Sequence, residues 1–138
     1  MKPMAMMGKR RKGIGGQEVE FYVTMGNVDG KTAIITDDVM TSGSTLKLVD
    51  ILLEHGAKDV YMAVTHPVLV SKCMDRLAAS SVKELIVTNT VPVPEEKRAG
   101  GKVKVLSIAP LLARVIRNIH ENRSVSEIFM QEKMVFAV

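Results

Sequence analysis

The chain has no tryptophan, two tyrosines and three phenylalanines, so aromatic residues make up only 4% of it. Proteins that grip single-stranded nucleic acid stack bases on aromatic rings beside basic side chains. No basic run here is interleaved with rings, which sets nucleic-acid binding aside. Cysteine is nearly missing as well. The lone Cys73 excludes an intramolecular disulfide and fits a reducing compartment. No His/Cys cluster has zinc spacing. Long apolar runs are missing too, none approaching the ~20 residues that span a bilayer. Met4 to Met7 are not followed by an export-type cleavage pattern. A strong charge of one sign is also missing, because the formal balance is only +4. A solvated surface accounts for that balance. These absences predict a soluble cytoplasmic protein with no membrane or nucleic-acid partner.

What is present is enough for one core. A chain of 138 residues, 46% hydrophobic and 25% charged, reads as a single globular domain. With so few rings, Ile, Val, Leu, Ala and ten Met residues must fill that core.

The densest chemistry lies in Ala33-Ile34-Ile35-Thr36-Asp37-Asp38-Val39-Met40-Thr41-Ser42-Gly43-Ser44-Thr45. Lys31 to Thr36 carries a near-continuous apolar run, as suits a parallel strand buried on both faces. Asp37 and Asp38 follow at its carboxyl end, where open α/β sheets place their ligands. Successive strand residues point to opposite faces, so the two acids have different jobs. Thr41, Ser42, Gly43, Ser44 and Thr45 then supply N–H donors, hydroxyls and one permissive glycine. Leu46, Val49, Leu52 and Leu53 recur at helical spacing until His55-Gly56 marks a helix end. Acids can hold sugar hydroxyls, and free N–H groups at a helix start can hold a phosphate dianion. The pattern therefore predicts a sugar-phosphate site. The plainer alternative is a turn opened by Asp-Asp and a helix capped by Ser/Thr.

Elsewhere strands and helices alternate. Pro3 to Gly8 reads as a strand, Lys9 to Gln17 as a basic glycine-rich loop, Glu18 to Met25 as a strand and Asn27 to Gly30 as a turn. Asp59 to Thr65 is a buried strand, Val68 to Ala79 a helix, and Leu85 to Thr88 and Val103 to Ser107 are strands. Ala109 to Asn122 closes the series as a long helix with Leu112, Val115, Ile116 and Ile119 on its apolar stripe. This order predicts an α/β fold with a mostly parallel sheet flanked by helices.

Lys9-Arg10-Arg11-Lys12 followed by Gly13-Ile14-Gly15-Gly16 suits neither a helix nor a strand interior. It reads as a cationic flap able to close over phosphates and exclude water, or else as a solvated basic hairpin. His66 before Pro67 is an acid–base candidate, but with no partner acid beside it a structural or ligand-positioning role is favoured. Thr88, Asn89 and Thr90 read as turn chemistry, Glu95-Glu96-Lys97-Arg98 as a solvated charge run and Cys73 as a packed thiol.

Further blocks accompany the central motif: Gly8-Lys9-Arg10-Arg11, Gly26-Asn27-Val28-Asp29-Gly30-Lys31-Thr32-Ala33, Thr65-His66-Pro67-Val68-Leu69, Lys83-Glu84-Leu85-Ile86-Val87-Thr88-Asn89-Thr90, Ser107-Ile108-Ala109-Pro110-Leu111-Leu112-Ala113 and Ser124-Val125-Ser126-Glu127-Ile128-Phe129. Together they resemble the type I phosphoribosyltransferase superfamily, and within it the ribose-phosphate pyrophosphokinase branch. The likeness covers about residues 1–129 as one domain and leaves 130–138 as a tail. It corresponds to the C-terminal half of those enzymes, with no counterpart here of their N-terminal, ATP-binding half. The resemblance implies a three-layer, Rossmann-like phosphoribosyltransferase type I fold. It implies transfer of pyrophosphate from ATP to O1 of ribose 5-phosphate, giving phosphoribosyl pyrophosphate and AMP.

Residue by residue, the resemblance implies that Lys9 and Arg11 are catalytic cations. Asp37 and Asp38 would hold the ribose hydroxyls directly or through magnesium, and Thr41, Ser42, Gly43, Ser44 and Thr45 would bind the 5-phosphate. The chain departs from the family pattern over Lys12 to Gly16. Mg2+ is the implied cofactor, while ribose 5-phosphate and ATP are the implied small-molecule partners. A homo-oligomer or a partner carrying the other half is expected. A non-catalytic regulatory or binding subunit is an alternative, and a small complete phosphoribosyltransferase a further one.

Overall fold

The computed structural model describes residues 5–12, 18–70, 72–98 and 100–130. Two compact units divide the chain, Met1–Leu106 and Ser107–Val138.

In the first unit, β1 (Met6–Lys12) and β2 (Glu18–Met25) form a two-stranded antiparallel sheet. The strand at Glu18 to Met25 is where the sequence predicts it. The basic segment differs, because Lys9 to Lys12 continue β1 instead of opening a loop. Their register sets Lys9 against Phe21, Arg10 against Glu20, Arg11 against Val19 and Lys12 against Glu18. Pairing with β2 gives the main chain of this segment hydrogen-bond partners that a loop would have to find in water. The rest of the expected loop, 13–17, and the start of the expected first strand lie outside the described residues.

The other four strands make one parallel sheet in the order β3 (Thr32–Met40), β4 (Asp59–Pro67), β5 (Leu85–Thr88) and β6 (Val103–Leu106). Helices join and flank these strands: α1 (Lys47–Glu54), α2 (Cys73–Ala79) and the single turn α3 (Glu95–Arg98). The predicted α/β architecture is thus observed.

Ile35, Met62, Leu85 and Val103 stand in one row across the four strands and are all buried. Val60, Val64 and Val87 extend this face, against which Leu48, Val49 and Leu52 of α1 and Cys73 and Leu77 of α2 complete the core. Each fully buried Leu or Val contributes on the order of 1.5–3 kcal/mol. The expectation that the β3 run is buried on both faces is corrected here. Ile35 points into the core, whereas Ile34 is 66% exposed and β3 is an edge of the described sheet. Strand alternation sends neighbouring side chains to opposite faces, and an apolar run does not change that.

Two connecting segments shape the carboxyl end of β3. A 3-10 turn, Ser44–Leu46, leads into α1. The helix ends as expected at His55-Gly56, where the Gly56 N–H donates to Leu53 O and the Ala57 N–H to Leu52 O. With Gly56 at φ 87°, this is a Schellman end. Helix α2 starts at Cys73, five residues later than predicted. The Leu69 and Val70 N–H groups instead donate to Met40 O and Thr41 O, each at 3.0 Å, which pulls the chain out of helical register. Leu69 takes a left-handed φ of 46° while its side chain stays buried.

The second unit holds α4 (Ala109–His120) and α5 (Ser126–Met130). Helix α4 matches the predicted long helix, with Pro110 in its first turn. Leu112, Ile116 and Ile119 of its apolar stripe are exposed. The expected tail after Met130 lies outside the described residues. Among the described residues, no helix is long and apolar enough to cross a membrane.

Candidate functional site

Strand β3 delivers its two acids on opposite faces, as alternation requires. Asp37 is half-buried and Asp38 exposed. Both Asp37 oxygens are held: Oδ1 accepts from the Asp38 N–H at 3.0 Å, and Oδ2 from the Thr45 hydroxyl at 3.1 Å. The second bond ties the acid pair to the far end of the hydroxyl-rich loop. Asp38 Oδ1 accepts from the Val39 N–H at 2.8 Å, and its Oδ2 has no partner among the described residues. Asp37 is thus a brace for the loop, and Asp38 presents an oxygen outward.

The loop from Met40 to Ser44 is organised through its carbonyls. Met40 O and Thr41 O accept from the Leu69 and Val70 N–H groups, and Gly43 O accepts from the Leu46 N–H at 3.1 Å. Ser42 O accepts from Arg76 Nη1 at 2.7 Å. In a trans peptide the C=O and the following N–H point in opposite directions. Engaging these four carbonyls therefore turns the N–H groups of Thr41, Ser42, Gly43 and Ser44 away from their carbonyls' partners. The Ser42, Gly43 and Ser44 N–H groups have no acceptor among the described residues. Gly43 makes the geometry possible with φ 73° and ψ 23°. Successive unpaired N–H groups around a left-handed residue form an anion-binding nest, here continuing into the start of a helix.

The structure places Asp37, Asp38, Thr41, Ser42, Gly43, Ser44 and Thr45 at the carboxyl end of β3, with Asp37 bonded to Thr45 across the loop. Lys9 and Arg11 lie on β1, in a sheet separate from the one carrying the acids. His66 pairs through Nδ1 with the Thr90 hydroxyl at 3.0 Å. The Thr88 and Thr90 hydroxyls both donate to Thr65 O, at 2.6 and 2.8 Å. His66 thus belongs to a polar seam between strand ends. Cys73 is fully buried beneath Gly43, and burial pushes its thiol pKa up against the opposing pull of Arg76 and Lys97. It is the packed thiol expected.

Three contributors stand outside the predicted site residues. Arg76 belongs to no motif, and its reach to Ser42 O spans 34 positions. Leu69 is a plain leucine in an unusual backbone state. Lys97 reads as one charge in a solvated run, yet its Nζ donates to Leu69 O at 2.9 Å. That bond closes on the left-handed turn at Leu69.

For metal, no group of three His, Cys, Asp or Glu side chains among the described residues could form a cage. The donor set present is the adjacent pair Asp37 and Asp38. Such hard oxygens fit Mg2+, which commonly takes one or two carboxylates and completes its shell from phosphate and water.

The family model described as phosphoribosyl synthetase-associated domain matches residues 17–130. The chain is 44% identical over 128 residues to a ribose-phosphate pyrophosphokinase of Bacillus subtilis, covering 92% of this chain and 39% of that protein. To the Deinococcus radiodurans protein of the same name it is 46% identical over 129 residues, covering 91% of this chain and 40% of the relative. A solved phosphoribosylpyrophosphate synthetase from Mycobacterium smegmatis superposes with a TM-score of 0.69 at 44% identity, over 86% of this chain and 37% of that one. The chain thus spans about two-fifths of the length of the curated relatives it matches.

Proposed function

The chain belongs to the phosphoribosyl synthetase-associated domain family, and from that membership we propose that it is the ribose 5-phosphate-binding portion of a ribose-phosphate pyrophosphokinase. The observation that carries this reading is the run of N–H groups at Ser42, Gly43 and Ser44 without acceptors among the described residues, one loop away from an acid pair. A phosphate dianion matches the nest, and a ribose hydroxyl donates to a carboxylate.

The 5-phosphate takes the loop N–H groups and the hydroxyls of Thr41, Ser42 and Ser44, while Thr45, whose hydroxyl donates to Asp37, holds the end of the loop in place. Asp38, with its outward oxygen, takes ribose hydroxyls, while Asp37 holds Thr45 and so keeps the loop at the right distance from the sugar. Binding both ends of the sugar phosphate fixes O1 for attack on the β-phosphorus of ATP, and orientation of this kind lowers the barrier by removing freedom in advance. Lys9 and Arg11 neutralise charge on the transferring pyrophosphoryl group. Asp37 and Asp38 would hold Mg2+ through the sugar oxygens; when bound, it supplies further positive charge at the phosphates. ATP contacts belong to the part of the relatives that this chain does not match. We further propose a cytoplasmic setting, consistent with the single cysteine, and an oligomeric assembly.

Calorimetric titration with ribose 5-phosphate tests the site. Binding is expected, accompanied by a rise in the unfolding temperature. Asp38→Ala should weaken it by roughly tenfold or more, the loss of about one charge-assisted hydrogen bond. Equal affinity in that variant would remove the acid pair from the site.

A further inference from the structure

We propose that Arg76 is a positioning residue for the anion nest: by holding Ser42 O, its guanidinium orients the Gly43 N–H toward the ligand. The inference rests on the sugar-phosphate reading of the loop and assigns a role to a residue outside the motif. Arg76 sits on α2 with an exposed side chain, and its Nη1 donates to Ser42 O at 2.7 Å. The Ser42–Gly43 peptide is planar and trans, so anchoring the carbonyl on the α2 side commits the N–H to the opposite side. Without that anchor, this peptide can turn over by compensating rotations about its two flanking bonds. Gly43 permits such a flip, because glycine adopts positive and negative φ about equally well.

The neighbouring peptides are secured differently. Met40 O and Thr41 O are gripped by main-chain donors, and Gly43 O is closed into the 3-10 turn. Ser42 O alone among the four depends on a side chain, which makes Arg76 the replaceable anchor of the loop. The turn that supplies the main-chain donors is itself secured, because Lys97 Nζ holds Leu69 O. Arg76 also places a positive charge behind the nest without occupying it. An arginine fork directs its donors more rigidly than a lysine ammonium, so the two side chains should not be equivalent here.

Two ligands and two variants test the proposal in the full chain. Ribose 5-phosphate and inorganic phosphate are titrated into the unsubstituted protein, Arg76→Met and Arg76→Lys, with heat and the Gly43 amide NMR signal followed together. Arg76→Met should bind both ligands roughly tenfold more weakly, equivalent to about 1.4 kcal/mol. Its Gly43 amide should lose the phosphate-induced shift, while the ligand-free unfolding temperature stays near that of the parent. Arg76→Lys should recover part of the affinity and of the amide shift. Parent-like affinity and amide shift in Arg76→Met overturn the proposal. If Arg76→Met melts, Arg76→Lys decides, and a full match to the parent in both readouts overturns the oriented-fork argument. Failure of the unsubstituted chain to bind either ligand overturns the sugar-phosphate reading, and this proposal with it.

Discussion

At Gly43 the backbone adopts φ 73° and ψ 23°, and a Cβ built there would lie 3.0 Å from Cys73 Sγ and 3.1 Å from Leu46 Cδ1. Two independent costs fall on one position. A left-handed conformation penalises any side chain by about 1–2 kcal/mol, and both packing neighbours are buried and must shift to make room. Gly43→Ala is therefore expected to lower stability by about 1–3 kcal/mol in urea unfolding and to weaken phosphate binding in the same preparation. Parent-like stability would show that the loop backbone relaxes freely, contrary to the held carbonyls on either side. This position is legible from the order of residues alone: a lone glycine among hydroxyl residues, ahead of a helical pattern. The partner beneath it is not, because Cys73 is 30 positions away and no local pattern reports which thiol packs under which turn.

At the scale of elements, α2 is short and ends abruptly, yet it carries both a core face and the Arg76 anchor. Its exposed carbonyl end is closed by one cation. Lys102 Nζ donates to Leu77 O and Ala78 O at 3.2 Å each and to Ser80 O at 2.6 Å. A cation at a helix C-terminus interacts favourably with the dipole and satisfies orphan carbonyls together. Lys102→Met keeps the aliphatic stem and removes the charge, and should cost about 1 kcal/mol in urea unfolding with an unchanged m-value. No change in the midpoint would mean that water replaces the ammonium without loss.

The same helix shows where sequence reading stops. Its hydrophobic spacing predicts that a helix exists, but places the start at Val68. The Leu69 and Val70 N–H groups are taken by β3 and the motif loop, a tertiary competition that outweighs local propensity. The basic segment at Lys9 to Lys12 departs from expectation for a related reason. Charge density reads as a loop, while pairing with β2 stabilises it as a strand.

For the molecule as a whole, the proposed site divides its groups between two sheets. The parallel sheet and its loops present acids and an anion nest at the carboxyl ends of the strands, as ligand sites in open α/β sheets do. The cations at Lys9 and Arg11 are carried on a different sheet.

If ATP contacts come from the part of the relatives outside the matched two-fifths, binding and turnover should separate experimentally. The purified chain should bind ribose 5-phosphate yet form little phosphoribosyl pyrophosphate when ATP and Mg2+ are supplied. Addition of the remaining part of the Bacillus subtilis relative as a second polypeptide should then raise turnover, with the gain abolished by Arg11→Ala in this chain. Robust turnover without the added polypeptide would refute the division of labour. Inhibition of an intact relative by this chain, with no gain on complementation, would favour a regulatory binding subunit. Because ribose 5-phosphate binding is measured in the same samples, a lost site and a missing partner give different results: the first abolishes both readouts, the second only turnover.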